Sequence, residues 1–433
     1  MLILALVIIV GAIVAMVRRV EVRFVLLSAG FLMALLAGKP LAATDTFTKG
    51  MITAMVAPIC AAMGFAAIMN ATGCDKHLVH LLLAPVRAFR FVVLPGGILV
   101  AYLVNMAVPS QTSTAAALGP ILVPLLMASG YSAAVAGAAL ILGASFGGDL
   151  LNPGAQDVQA IAGVVSLSAP DLSARVIPAS IAGALTAAIA FALLNRTGNG
   201  SNDAGALVHA PQENGAFRLN IAKALIPLVP IVLLLLAYGG LASLAWLKDP
   251  PKGDEWKSLA NALPVVRAML IGALLAVGVA YREVQTLTKS FFEGMGQAYG
   301  SIISLTITAQ VFGAGIAAIG VAEALLAAAK ATGALTLLSA AFPMALSALS
   351  GSGSGPILAF AQTFLSQLEP GDESVKLAAL ACFGGAFGRT LSPVSAVVVY
   401  SSGLVGLSPV VLIRRFLPAL AIGGAVAMAL ALR

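Results

Sequence analysis

Charge is what this sequence has least of. Asp, Glu, Lys and Arg make up 9% of its 433 residues, against roughly 25% in an ordinary soluble domain, which excludes a globular enzyme surrounded by water. Histidine and cysteine occur three times each, the cysteines at positions 60, 74 and 382. They show no C-x-x-C spacing and no cysteine–histidine pairing, so a structural metal, a redox dithiol and a disulfide framework all lack their ligands. No G-x-S-x-G, P-loop or nucleophile–base pair is present. Neither enzymatic catalysis nor ATP-driven pumping is expected, and no cofactor beyond a coupling proton or sodium ion. Basic residues exceed acidic ones by seven, but they stand in short clusters between apolar runs and never interleave with aromatics, which argues against nucleic acid as a partner.

What the chain has is apolar length. Hydrophobic residues make up 60% of it and glycine contributes 44 positions; the mean hydropathy is +1.03. Windows of about 17–25 apolar residues give spans near 2–17, 21–38, 50–72, 132–165, 174–195, 220–247, 264–281, 290–319, 376–406 and 411–432. The first is read as a retained span, because Arg18, Arg19 and Arg23 follow the apolar run and no small-residue cleavage site comes next.

Four stretches break this pattern. Residues 92–128 are interrupted by Pro109-Ser110-Gln111-Thr112-Ser113-Thr114, and residues 333–368 by Ser350-Gly351-Ser352-Gly353-Ser354-Gly355-Pro356. Each half is short for a crossing, so both are read as re-entrant helical hairpins. Gly147-Gly148-Asp149-Leu150-Leu151-Asn152-Pro153 and Gly388-Arg389-Thr390-Leu391-Ser392-Pro393 interrupt two membrane-length segments. An unpaired backbone group in lipid costs several kcal/mol, so these breaks must line a cavity inside the protein.

Ten crossings and two hairpins assign every loop to a side. The inner loops then carry Arg18, Arg19, Arg23, Lys76, Arg87, Arg90, Arg196, Arg218, Lys223, Arg282, Lys289, Arg414 and Arg415, while Asp249, Asp254, Glu255, Glu369, Asp372 and Glu373 fall outside. Both termini face out. The two halves resemble each other at an offset of about 240: Phe47-Thr48-Lys49-Gly50-Met51 answers Phe291-Phe292-Glu293-Gly294-Met295, and Ser168 to Ala179 answers Ser408 to Ala419. The expected fold class is therefore all-α, a polytopic membrane protein of two inverted repeats, each with five transmembrane helices, one re-entrant hairpin and an interrupted helix. The expected divisions are a first repeat over 1–195, a cytoplasmic linker over 196–219 and a second repeat over 220–433. The segment from Cys74 to Arg90, with His77 and His80, reads as an interfacial helix, and Val321 to Thr332 as its counterpart, a lateral arm on the other surface.

Corresponding broken helices in inverted halves mark the binding site of a carrier. Each hairpin tip and each break starts a half-helix with unpaired N–H groups worth roughly +0.5 elementary charge; four such starts suit a dianion or a pair of carboxylates. Candidate substrate ligands are Ser110, Gln111, Thr112, Ser113, Asn152, Ser350, Ser352, Ser354, Arg389, Thr390 and Ser392. Asp157, Asp149, Asn152 and Thr390 are candidates for the coupling proton or sodium ion, and no other metal is implied. Asp149, Asp157 and Arg389 are the charges placed inside the bilayer, at about 2.5–3.5 kcal/mol each if unpaired. Arg389 either takes a substrate carboxylate as a bidentate fork or closes an internal ion pair with one of the aspartates. Serine, threonine and glycine also permit close helix packing, so any single hydroxyl has two readings.

At these positions the sequence resembles the anaerobic C4-dicarboxylate carriers of the DcuC type. The resemblance rests on Gly388-Arg389-Thr390-Leu391-Ser392-Pro393-Val394-Ser395 followed by Val397-Val398-Val399, on Ser408-Pro409 and Arg415, on Ser350-Gly351-Ser352-Gly353, and on Pro153 with Asp157-Val158. The first tip, Pro109 to Ser113, departs from that family's wording. The resemblance implies a secondary carrier for a small dicarboxylate of the succinate, fumarate or malate class, working by alternating access of elevator type. It also implies a homodimer in the lipid bilayer of the bacterial inner membrane. The alternatives are a cation/proton antiporter using Asp149 and Asp157, or a carrier of another small carboxylate or an amino acid. A passive channel would not need two mirrored breaks.

Overall fold

The computed structural model describes residues 2–18, 20–52, 56–87, 92–108, 110–165, 167–195, 217–238, 242–249, 263–320, 333–369 and 371–433. Pro109, most of the linker, the charges at 19, 90, 196, 254 and 255, and the arm expected at 321–332 lie outside the described residues. Every regular element among those described is helical. In chain order the α-helices are α1 Leu2–Val17, α2 Val22–Leu36, α3 Pro40–Gly50, α4 Val56–Thr72, α5 Cys74–Arg87, α6 Val93–Ala107, α7 Gln111–Ala128, α8 Ala133–Ser145, α9 Gln156–Val164 and α10 Ala169–Leu194. They continue with α11 Ile221–Leu225, α12 Val229–Tyr238, α13 Leu263–Val279, α14 Val284–Ala298, α15 Ser304–Ala318, α16 Leu335–Ser350, α17 Ser354–Phe364, α18 Asp372–Leu391, α19 Ala396–Val405 and α20 Pro409–Ala431.

Among the described residues, five helical stretches are long and apolar enough to cross a bilayer alone, and seven if each of two bent pairs makes one span. The bends explain the difference from the simpler expectation of continuous rods. Gly73, at φ +68°, turns α5 by 74° away from α4, since glycine adopts the left-handed region at no steric cost. Helix α14 turns by 99° from α13 and then joins α15 through a π turn at Tyr299–Ile303, so the expected span 290–319 is two helical pieces. The expected span 220–247 is also segmented. Pro227 and Pro230 each lack a backbone N–H, and a 3₁₀ turn at Ile226–Leu228 separates α11 from α12.

Both interrupted helices occur where the sequence placed them. In the first, α8 ends at Ser145, Gly147 sits at φ +103°, Asp149–Leu151 make one 3₁₀ turn, and α9 restarts at Gln156. In the second, α18 runs to Leu391, Ser392 and Ser395 are extended, and α19 restarts at Ala396. One correction concerns Arg389, which was expected inside the break. It lies in the last turn of α18, where a cation faces the negative end of the helix dipole.

The buried side chains fall into one large cluster drawn from α5–α10 and α16–α20 and smaller ones drawn mainly from α1–α4 and α11–α15. Within the large cluster, glycines set the spacing. A methyl group on Gly143 or Gly148 would come 2.5 or 2.4 Å from a carbonyl oxygen of α6, that of Ile98 or Tyr102. On Gly384 or Gly388 it would come 2.2 or 2.1 Å from those of Ala340 and Met344 in α16. Each half thus presses the first arm of its hairpin against the first segment of its broken helix, backbone on backbone. Helices α10 and α20, which end the two halves, meet each other at Gly183 and Gly423, where a methyl group would lie 2.8 or 2.5 Å from the facing carbonyl. Outside this core the halves interlock: α2 and α3 pack on α15, and α13 and α14 pack on α4. The cut expected at the linker therefore does not separate two independently packed bodies.

Candidate functional site

Four helix starts line one cavity of about 240 Å³. Ser110, Gln111 and Thr112 come from the start of α7 at the first tip, and Gly351 to Ser354 from the second tip entering α17. Gln156 opens α9, and Ser395, Ala396 and Val397 open α19. Serine begins α7 for a local reason: the Ser110 hydroxyl accepts the Ser113 N–H at 3.3 Å, which satisfies one of the donors a helix start leaves unpaired. Met63 of α4, Asp149 and Arg389 complete the wall.

The charged groups form one cluster. Arg389 Nη2 donates to Asp149 Oδ2 at 3.1 Å and Nη1 to Asp157 Oδ2 at 3.3 Å. Ser354, the first residue of α17, donates its hydroxyl to Asp157 Oδ1, and Gln111, the first residue of α7, donates its amide to Asp149 Oδ2 at 3.3 Å. The backbone N–H of Asp149 is held by Asn105 Oδ1 of α6 at 2.9 Å. All these residues are buried, Asp157 to 1% exposure and Arg389 to 8%. Gly353 makes the second tip's approach feasible, since a methyl group there would stand 3.2 Å from Arg389 Nη1. The internal ion pair weighed from the sequence is present, and with both aspartates at once. Both hairpin tips and both broken helices are thereby tied to a single guanidinium.

Three buried polar atoms of cavity-lining residues have no partner: Asp149 Oδ1, Arg389 Nε and Ser395 Oγ. Ser395 was not singled out from the sequence, although a serine two residues past Pro393 and directly before an apolar run is a helix-start signature. The relation between Asp149 and Arg389 was also legible and unread. They stand 240 residues apart within matching strings, Gly148-Asp149-Leu150-Leu151-Asn152-Pro153 and Gly388-Arg389-Thr390-Leu391-Ser392-Pro393.

The other expected ligands hold the frame. Asn152 donates to the Met106 carbonyl at 2.9 Å and accepts the Gly154 N–H at 2.8 Å, pinning the first break to the end of α6. Thr390 donates to the Ser145 and Ala386 carbonyls at 2.7 and 2.8 Å and lies 2.5 Å from the Ser145 hydroxyl, joining α18 to α8. Ser392 accepts the Val394 N–H at 3.4 Å, and Ser350 bonds within its own tip to Ser352. Ser113 accepts the Ser110 hydroxyl at 2.8 Å and faces a second cavity of about 370 Å³. That cavity shares Met63 and Ser110 with the first and is otherwise walled by α4 and α14 residues including Asn70, Ser290, Glu293 and Gln297. The pair His77 and His80 belongs to neither cavity. His77 accepts the Asn220 N–H at 3.2 Å and both rings pack on Phe217. Among the described residues no group of three His, Cys, Asp or Glu side chains forms a metal site.

Broken helices that bring their ends and a paired, buried arginine to one polar cavity, in an apolar helical protein, define a polytopic membrane transporter. The chain belongs to the family described as C4-dicarboxylate anaerobic carrier, which it matches over residues 42–432. It is 26% identical over 371 residues to the anaerobic C4-dicarboxylate transporter DcuC of Escherichia coli K12, covering 81% of this chain and 75% of that one. It is 27% identical over 367 residues to a protein of Vibrio cholerae named for the same transport, covering 81% and 76%. A shorter match, 38% identical over 130 residues, covers 30% of this chain and 90% of an uncharacterized transporter of Haemophilus influenzae.

Proposed function

We propose that this protein is a secondary carrier that moves a C4-dicarboxylate of the succinate, fumarate or malate class across the bacterial inner membrane, coupled to a cation or by exchange. The observation that carries the reading is the cavity at which four helix starts meet beside Arg389. Helix starts favour anions, each by about 0.3–1 kcal/mol at an exposed position and up to about 2 when partly buried. Two carboxylates of one small molecule can each meet two starts, with the guanidinium as the directional contact. The names of the Escherichia coli and Vibrio cholerae relatives add the substrate class.

The division of the core supports alternating access of elevator type. The cavity is walled almost entirely by hairpins and broken helices of the large cluster, and the outer helices contribute Met63. A rigid movement of that unit past α4 keeps the site intact and changes which side it faces. The reciprocal packing of the two halves, α3 on α15 and α14 on α4, supports an inverted repeat with a two-fold axis between Asp149 and Arg389. The contacts between distant loops support the grouping of loops into two sides, since His77 meets Asn220 and Arg175 meets Asp372; the basic residues of the first group support the orientation with both termini outside. A homodimer completes the reading.

One observation favours a second reading. Arg389 is already held by two aspartates, as in a cation/proton antiporter in which the acids bind the transported ion. Reconstitution into liposomes separates the two. Radiolabelled succinate enters or exchanges if the protein is a dicarboxylate carrier; cation flux without succinate movement replaces that reading with the antiporter, and uptake of another carboxylate or an amino acid redefines the substrate.

A further inference from the structure

The charges around the cavity do not balance, and the two carboxylates are not equivalent. One guanidinium faces two aspartates, so the fully ionised cluster is net negative toward the space an anion would occupy. Asp157 has a donor on each oxygen, Ser354 on Oδ1 and Arg389 on Oδ2, the arrangement of an ionised carboxylate. Asp149 has both its side-chain donors, Gln111 and Arg389, on Oδ2, and Oδ1 is buried without a partner. A bare acceptor oxygen on a residue 6% exposed gains most from a proton.

We propose that Asp149 is the proton-carrying group of the transport cycle. Resting on the dicarboxylate-carrier reading, the step is a competition for Arg389. An arriving substrate carboxylate takes over Nη2; Asp149, released from its cation, binds a proton from solvent. The O–H bond forms at Oδ1 and no other covalent bond changes. Asp157 stays bonded between Ser354 and Nη1 and keeps Arg389 in place. The dianion and the proton then move together, and loss of either favours loss of the other. The titratable groups facing Asp149 are Tyr102 on α6, Cys382 and Arg389 on α18, and Asp157 at the start of α9, with the neutral amide of Gln111 from the first tip. A phenol and a thiol ordinarily titrate at about 10 and 8.5, above the working range, so among the described residues Asp157 is the rival acid.

The test uses the full-length protein in liposomes, with the membrane potential clamped at zero by valinomycin and equal potassium. Wild-type protein is expected to exchange internal and external succinate and, under an inward proton gradient of one pH unit, to accumulate it about tenfold, as one carried proton requires. Asp149→Asn, a neutral mimic of the protonated acid, loses gradient-driven accumulation, and whatever exchange remains loses its dependence on pH. Infrared difference spectra of the wild type are expected to gain a neutral carboxylic acid band on succinate addition, and Asp149→Asn to lose it, which separates Asp149 from Asp157. Proton-driven accumulation that survives Asp149→Asn overturns the assignment, as does a sodium gradient that substitutes for protons, or the absence of the infrared band. Failure of the wild type to exchange succinate at all refutes the carrier reading itself, a distinct result.

Discussion

Replacing Arg389 by lysine keeps the charge and removes the fork. The guanidinium reaches Asp149 with one nitrogen and Asp157 with the other, at 3.1 and 3.3 Å; a single ammonium cannot hold both in that geometry. One hydrogen bond to a charged group is lost, about 1.5–3 kcal/mol. Where that contact is taken over by substrate, the same range raises the KM for succinate roughly ten- to hundredfold, at 1.4 kcal/mol per factor of ten. Folded protein should survive, because both buried aspartates still face a cation. Arg389→Gln is harsher. It strands two carboxylates, at about 3–5 kcal/mol for a broken buried pair, and should give protein that melts early or fails to assemble. The assay is initial succinate uptake in liposomes against external concentration, alongside thermal unfolding in detergent. Arg389→Lys protein that unfolds earlier yet transports with wild-type KM once folded would refute substrate contact and leave Arg389 a structural clasp.

Ser354→Ala should weaken succinate binding up to roughly tenfold, since it removes a hydrogen bond of about 1.5 kcal/mol to the charged Asp157; calorimetric titration of the purified protein measures it. Gly388→Ala should destabilise by about 1–3 kcal/mol or more, because the added methyl meets the Met344 carbonyl at 2.1 Å. Gly403→Ala, with no atom within 4 Å, serves as its control in thermal unfolding. Met63→Cys places a thiol where the two cavities meet, and the native cysteines are all buried. A membrane-impermeant maleimide should label that thiol, and succinate should slow the labelling; equal rates with and without succinate would separate the second cavity from the substrate path.

The helix interruptions were legible because membrane burial leaves irregular backbone few places to go. Ser350 to Pro356 or Gly147 to Pro153 in an apolar segment can only be a tip or a break facing protein. Ser113, Asn152, Ser350, Thr390 and Ser392 have the chemistry of ligands and are bonded here to the Ser110 hydroxyl, to nearby backbone or to the adjoining helix, and nothing in their spacing tells a ligand from a frame contact. Ser395 was overlooked although its helix-start position was visible. The bends at Gly73 and between α13 and α14 were hidden because hydropathy records apolar length and not direction.

Sequence alone determined that the chain is apolar enough for lipid, that four helix starts interrupt its apolar segments, and that Arg389, Asp149 and Asp157 need partners. Each follows from the cost of exposing polar groups to hydrocarbon, which acts on every residue wherever its neighbours are. Which start meets which, and that one guanidinium is shared by two aspartates and both tips, was decided only by packing. Those contacts join residues 38 positions apart at the first tip and 197–240 elsewhere, and the glycine-spaced approach of α6 to α8 and of α16 to α18 sets where they meet.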